Sequence, residues 1–183
     1  MFIDTSGYPW VPGFEAASPD IIAEFAALGD EALQPWPERA LYGQGWNTFG
    51  FRFLGHRLEE NCLRCPATAA ALGSIPELIS AGFSVLEPGT WIRPHVGYSH
   101  SLYVGHLGLI IPPDCALRVG AETRGWTSGR FLAFNDMVQH ESWNRGDSRR
   151  VVLLIEFLRP GRQLKELTAS PEVEAMLKTL GAR

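Results

Sequence analysis

Two histidines lie in a part of the chain that otherwise reads as β-strands and tight turns. His95 belongs to the segment Arg93-Pro94-His95-Val96-Gly97, and His140 lies between Phe134 and Asn144. A strand-rich barrel that holds two imidazoles at its mouth commonly binds one redox metal and leaves coordination sites open for other ligands. The pattern therefore predicts a metal-dependent oxidant whose other residues place a co-substrate and a substrate.

Two further candidates lie in apolar strands. His106 falls inside the run from Leu102 to Ile111, and Arg150 opens another such run. The histidine is either a buried residue bonded to a neighbouring strand or a group of the site. The arginine is either a solvated edge residue, a partner for Asp147 or Glu156, or a two-pronged donor to a carboxylate. The residues alone leave these readings open.

The usual non-haem iron motif is incomplete in this sequence. That motif is His-x-Asp/Glu with a distant second histidine, and Gly97 occupies the position of the carboxylate. Taken alone, this predicts a broken triad. The spacing from His140 to Asn144 is similar to the second motif of cupin barrels. His56 and His100 have no partner at a diagnostic spacing, so we interpret both as surface or packing residues.

Composition limits the classes of function that fit. The chain has 183 residues, of which 45% are apolar and 20% charged, which is enough for one domain with a substantial core. The net charge is 16 − 20 = −4 and like charges form no run, so neither nucleic acid nor a membrane is an expected partner. No stretch reads as a transmembrane helix or a signal peptide. Only Cys62 and Cys65 of the three cysteines are close together, which favours a reducing, cytoplasmic setting and a packing role.

The chain divides into three stretches. In the first, Ser18-Pro19-Asp20 predicts a helix that runs to about Leu28. The second contains apolar runs separated by turns, and the third predicts a helix from Ser170 to Gly181. Predicted short helices in the second stretch cover 67–72 and 75–79, and predicted strands cover 48–54, 82–87, 102–111, 115–119, 130–134 and 150–158. Short strands at this spacing are typical of an antiparallel sandwich or barrel, so the predicted fold class is mainly β.

Several rare elements occur in order along the chain. The segments Phe83–Gly97, His106–Pro112 and Trp126–Arg150 resemble the aspartyl/asparaginyl β-hydroxylase family, and the resemblance covers residues 46–160. It implies a double-stranded β-helix, which is a jelly-roll or cupin-like core, with helices at the N- and C-terminal ends. The implied layout is a single dioxygenase domain, 1–183, with a helical and loop extension at 1–45, the β-helix core at 46–160 and a C-terminal helix at 161–183.

The resemblance also implies a cofactor and its ligands. The family binds iron(II) with two histidines only and uses 2-oxoglutarate and O2 as co-substrates. Gly97 therefore stands where the family itself has no carboxylate. The matching positions are His95 and His140 for iron, and Ser84, His106 and Arg150 for the carboxylates of 2-oxoglutarate. A pair of neutral imidazoles leaves room on the metal for a bidentate 2-oxo acid and for O2.

Departures from the family bear on the substrate. In members that act on epidermal-growth-factor-like domains, basic residues precede the equivalent of His106 at alternate positions, where this chain has Leu102 and Val104. Strand alternation puts both on the face of His106, and we expect them to contact the substrate together with Trp46. We predict no activity on aspartyl residues of such domains and a preference for an apolar group near the oxidised carbon. The expected partner is a small molecule or a peptide, free or tethered to a carrier.

The leading hypothesis is hydroxylation of an unactivated C–H bond in an amino acid, a peptide or a related small metabolite, with release of succinate and CO2. Two alternatives stay open at this point. The same cofactors also support desaturation, ring closure or halogenation, and a cupin-like module could bind a metal or a ligand without catalysis. If the protein is only a binding module, Ser84, His106 and Arg150 have no common role. The enzyme hypothesis gives all three one role, which is binding the carboxylates of 2-oxoglutarate.

Overall fold

A computed structural model of the protein describes residues 1–163. The predicted helix from Ser170 to Gly181 lies outside the described residues. No helix within the described part is long and apolar enough to cross a membrane.

Within residues 1–163, twelve strands form two antiparallel sheets. The larger sheet has the order β1-β10-β7-β12-β5-β3-β2, with β4 paired to β3, and the smaller has the order β6-β11-β8-β9. The strands are β1 Phe2–Ile3, β2 Gln34–Pro35, β3 Trp46–Phe53, β4 His56–Arg57, β5 Leu78–Leu86, β6 Trp91–His95, β7 Leu102–Ile110, β8 Cys115–Val119, β9 Glu122–Arg124, β10 Phe131–Phe134, β11 His140–Asn144 and β12 Arg150–Leu158. The two sheets face each other, which is the arrangement of a double-stranded β-helix.

The central strand β12 shows how the two faces of the larger sheet differ. Val151, Leu153 and Ile155 are fully buried on the outer face, in one apolar cluster with residues of the N-terminal helices such as Phe14 and Ile21. The alternate residues of β12 point to the other face, towards the smaller sheet. Both faces of the strand are covered, which explains why its sequence is almost continuously apolar.

In the described part of the chain, four α-helices cover the outer face and the edge of the larger sheet. They are α1 Val11–Ala16, α2 Ser18–Ala27, α3 Glu59–Arg64 and α4 Pro66–Gly73. The Glu24 carboxylate on α2 accepts hydrogen bonds from the backbone N–H groups of Ala67 and Thr68, at 2.7 and 2.8 Å. A carboxylate at the first turn of a helix satisfies free N–H groups and opposes the helix dipole, so Glu24 joins α2 to α4.

The structure confirms most of the predicted elements and corrects one. The predicted α2, α4 and five later strands are present within a few residues of the predicted bounds. The predicted helix over 75–79 is wrong: Glu77 adopts a positive φ of 56° and Leu78 begins β5, where Leu78 pairs with Phe157 of β12. Cys62 and Cys65 are buried free thiols, as a packing role requires.

Candidate metal and co-substrate site

The smaller sheet brings two predicted ligands together. His95 is the last residue of β6, His140 is the first residue of β11, and the two are Cα partners in the antiparallel pair. Their ring centroids lie 4.1 Å apart. Two residues far apart in sequence thus place their imidazole rings next to each other.

The backbone fixes the orientation of both rings. His95 Nδ1 lies 2.8 Å from the carbonyl oxygen of Arg93, and His140 Nδ1 lies 3.0 Å from that of Val138. A carbonyl oxygen only accepts, so each Nδ1 carries the proton and each Nε2 keeps a free lone pair. Burial, and to a lesser extent the charge of His95, lowers the pKa of His140 from 6.5 to about 4. His140 is therefore neutral at physiological pH, as a metal ligand must be.

Asp136 lies beside Gly97, the position that carries a carboxylate in the usual non-haem iron motif. A Cβ added at Gly97 would lie 1.8 Å from Oδ2 of Asp136, so the Asp136 carboxylate occupies the space of a side chain at position 97. The backbone N–H of Gly97 also donates to the carbonyl of Asp136 at 2.8 Å. Within the described residues, no group of three or more His, Cys, Asp or Glu side chains is placed to hold a metal ion. The arrangement is thus a two-histidine site with a carboxylate beside it.

Arg150 is the most deeply buried charged residue near the histidines. Its side chain is 1% exposed, and its guanidinium carbon lies 4.9 Å from the ring centroid of Trp126. Nη1 donates to the carbonyl of Ser84 at 3.3 Å, whereas Nε has no hydrogen-bond partner among the described residues. Burial lowers the pKa of Arg150 from 12.5 to about 9. A buried guanidinium with an unused donor is not a solvated edge residue, and it needs an anion to offset its desolvation.

Two further polar groups have their orientation set by tryptophans. Trp126 Nε1 donates to Nδ1 of His106 at 3.2 Å, so Nε2 of His106 carries the proton and is free to donate. Burial lowers the pKa of His106 well below 6.5, which keeps the ring neutral. Trp46 Nε1 donates to the Ser84 hydroxyl oxygen at 3.0 Å, which leaves the hydroxyl proton for another acceptor.

One cavity connects these groups. Its volume is about 220 Å³, and it lies between the two sheets. The predicted site residues that line it are Trp46, Ser84, His95, Val104, His106, His140 and Arg150. Leu102, two residues before Val104 on the same strand, is 1% exposed and is not among the residues that line the cavity. His56 and His100 are exposed and also lie outside it.

The match to a known protein family shows to which family the chain belongs. Residues 15–160 match the family described as aspartyl/asparaginyl beta-hydroxylase. The chain belongs to the aspartyl/asparaginyl β-hydroxylase family. This confirms the resemblance carried by the segments around His95, His106 and His140.

Individual members of the family are moderately similar to the chain. It is 34% identical over 168 residues to an ornithine lipid ester-linked acyl 2-hydroxylase of Rhizobium tropici. The aligned region covers 86% of this chain and 60% of that protein. It is 32% identical over 121 residues to the human aspartyl/asparaginyl beta-hydroxylase. This aligned region covers 63% of this chain and 16% of that protein. The chain thus spans less than two thirds of these relatives.

A solved structure supports the fold alone. The crystal structure of a Pseudomonas putida prolyl-4-hydroxylase matches with a TM-score of 0.52 and 16% identity, over 80% of this chain and 88% of that one. The likeness agrees with the double-stranded β-helix described above.

Asp136 is the site residue that the sequence reasoning missed. It is 4% exposed, lines the cavity, and has one carboxylate oxygen, Oδ1, without a partner among the described residues. Burial, and then the charge of Glu156, raises the pKa of Asp136 to about 7. Its position four residues before His140 was the available signal, since the turn between β10 and β11 brings it back to Gly97.

We expect Gly97→Ala to destabilise the protein by about 1–3 kcal/mol, because the new methyl group must displace a buried carboxylate. An aspartate at position 97 would meet the same obstacle. The cost should fall clearly when Asp136 is also changed to alanine, as chemical denaturation of a double-mutant cycle would show. Gly73→Ala is the control, since an added Cβ there meets nothing within 4 Å. An equal cost of Gly97→Ala with and without Asp136 would contradict the contact.

The lowered pKa of His140 predicts a pH effect on the metal-free protein. Because the folded pKa of about 4 lies below the unfolded value of 6.5, the unfolded chain takes up the proton first, and stability falls as the pH drops through this window. Between pH 7 and pH 5 the wild type should lose about 2 kcal/mol more unfolding free energy than His140→Asn. The exposed His100→Asn serves as the control. Parallel pH dependences for wild type and His140→Asn would show that His140 is not desolvated.

Proposed function

We propose that the protein is an iron(II)- and 2-oxoglutarate-dependent dioxygenase that hydroxylates an unactivated C–H bond. The observation that carries this proposal is the shared cavity: a pair of neutral imidazoles and a buried guanidinium with an unused donor line the same space. The imidazoles fit a redox metal, and the guanidinium fits the carboxylate of an acid bound beside it. Membership of a family of hydroxylases supports the same conclusion.

His95 and His140 are the residues that would hold iron. Their Nδ1–H groups are held by backbone carbonyls, so both rings are oriented before a metal arrives. When bound, iron, 2-oxoglutarate and O2 together supply the oxidation of a C–H bond, with succinate and CO2 as by-products. The protein contributes placement of the reactants and exclusion of water.

Arg150 is the residue that would bind the distal carboxylate of 2-oxoglutarate. Its Nε has no partner among the described residues, and its guanidinium carbon lies 4.9 Å from the ring centroid of Trp126. Ser84 Oγ and His106 Nε2 are two further donors on the inner face of the same sheet, because both line the cavity with Arg150. An incoming carboxylate would stabilise a charge that is otherwise buried without an anion.

The lining between these polar groups favours an apolar portion of the substrate. Val104, Leu117, Phe134 and Leu154 lie along the cavity. The Rhizobium tropici relative is named as an acyl 2-hydroxylase, and an acyl or alkyl segment suits such a lining. We propose a substrate with an apolar segment at the oxidised carbon, as a small molecule or peptide, and no action on aspartyl side chains.

The proposal is tested by following 2-oxoglutarate in the presence of iron(II) and O2. We expect slow succinate formation without an added substrate, and faster formation when a compound from an acyl-amino-acid and peptide library is turned over. Mass spectrometry should then find a product that has gained one oxygen atom. Absence of succinate from iron-loaded protein, at any 2-oxoglutarate concentration, would contradict the proposed function.

A further inference from the structure

The end of the cavity away from Arg150 is acidic. Glu156 follows Arg150 by six residues on β12, on the same face and roughly 20 Å further along the strand. Glu38 and Asp136 line the cavity with it. Within residues 1–163 none of these three carboxylates forms an ion pair with a lysine, arginine or histidine. The acidic end is therefore not neutralised by an ion pair, although the charge of Arg159 acts on Asp136 from further away.

A buried acceptor at this end also lacks a donor. Asp136 is 96% buried, since only 4% of it is exposed, and Oδ1 has no hydrogen-bond partner among the described residues. Buried polar atoms are normally paired, so an unpaired one that lines a cavity points to a donor that arrives with a ligand.

Aromatic rings also line the cavity, and one of them contacts an acid. Trp36 and Trp46 stack with their ring centroids 4.7 Å apart, and both line the cavity, as does Tyr98. Trp36 Nε1 donates to Glu38 Oε2 at 3.1 Å, which joins the rings to the carboxylates. Aromatic faces beside carboxylates attract ammonium and guanidinium groups, whereas they offer little to an anion.

The strand opposite Glu156 supplies no positive charge. The Cα partners of Glu156 are Val104 on β7 and Ser80 on β5. Burial raises the pKa of Glu156, hydrogen bonds from the Ser80 and Tyr98 hydroxyls lower it, and the nearby charge of Glu38 raises it. Glu156 therefore has neutral donors beside it but, among the described residues, no cation. A positive group between the two carboxylates would relieve both the desolvation and the repulsion.

We propose that this acidic end, with Glu156 as the specificity-determining residue, recognises an ammonium or guanidinium group of the substrate. The substrate class is then a cationic compound that also carries an apolar segment. The inference rests on the proposed function for turnover, although binding of the cation requires neither iron nor 2-oxoglutarate.

The test measures binding of three matched probes to metal-free protein by isothermal titration calorimetry at pH 8.5, above the raised pKa of Asp136 of about 7. They are n-hexylamine, which is a cation at this pH, 1-hexanol, which is neutral, and hexanoate, which is an anion. We expect hexylamine to bind at least tenfold more tightly than either of the others. Glu156→Gln, which keeps the size of the side chain, should reduce this preference at least tenfold. Glu60→Gln, on the exposed face of α3, should leave it unchanged.

A second variant keeps the test independent of any damage caused at Glu156. Val104→Lys places an ammonium group opposite Glu156 and should abolish hexylamine binding, whereas Val104→Met adds similar length without charge and should retain it. Hexanoate binding as tightly as hexylamine, or an unchanged preference in Glu156→Gln, would overturn the inference. Cation binding without succinate formation would instead reject the proposed function alone, and succinate formation without cation preference would reject the acidic site alone.

Discussion

Replacing His95 or His140 by alanine is expected to lower the affinity for iron(II) by on the order of a hundredfold or more, and to stop 2-oxoglutarate turnover. Only two protein ligands are proposed, and the two rings lie 4.1 Å apart on paired strands, so the loss of either ends the chelate. Anaerobic titration with iron(II) measures the affinity, and succinate formation measures the turnover.

Histidines outside the cavity provide the control for this result. His56→Ala and His100→Ala remove exposed imidazoles, and both variants should bind iron(II) as the wild type does. Wild-type affinity in the His95 or the His140 variant would mean that the metal is held elsewhere.

Replacing Arg150 by alanine should raise the 2-oxoglutarate concentration needed for turnover by a factor on the order of a hundred to several thousand. Breaking a buried guanidinium–carboxylate pair on one side costs about 3–5 kcal/mol, and Arg150 is 1% exposed with an unused Nε. Iron(II) affinity should change little, because Arg150 is not a metal ligand. Steady-state succinate formation against 2-oxoglutarate concentration gives the first quantity, and titration with iron(II) gives the second.

The neighbouring arginine is a close control for Arg150. Arg149 pairs with Asp30 and Glu87 at the surface, so Arg149→Ala should leave the 2-oxoglutarate requirement near the wild-type value. Arg150→Lys should restore only part of the affinity, since an ammonium group cannot donate from two nitrogens in one plane. A 2-oxoglutarate requirement that is unaltered in Arg150→Ala would remove this residue from the site.

The sequence predicted the elements whose signal is local. The long strands β7 and β12 and the helix α2 follow from apolar runs, turn residues and a Ser-Pro-Asp start, and all three are present. Strands β6 and β11 were not predicted, although they carry His95 and His140. Each has only five residues, and Pro94 interrupts the first, so pairing with the neighbouring strand decides their conformation more than propensity does.

Residue type indicated which side chains could share a site, whereas the sequence did not show how the fold arranges them. Arg150 is buried because the fold brings Trp126 over its guanidinium. No local sequence pattern encodes this contact. The spacing of Asp136 to His140 marked it as a neighbour of the histidines, but its contact with Gly97 forms only through the fold. Glu156 was considered only as a partner for Arg150. Six residues of strand, or about 20 Å, separate the two, so they do not pair.

The most direct measurement of the central claim is an anaerobic spectroscopic titration of the protein with iron(II) followed by 2-oxoglutarate. We expect a weak visible charge-transfer band that grows with 2-oxoglutarate and saturates at one molecule per protein, because the acid chelates the metal held by His95 and His140. Succinate, which lacks the 2-oxo group, should give no band, and the Arg150→Ala variant should need far more 2-oxoglutarate to reach it. A protein that binds iron(II) at these histidines yet shows no band at saturating 2-oxoglutarate would contradict the account.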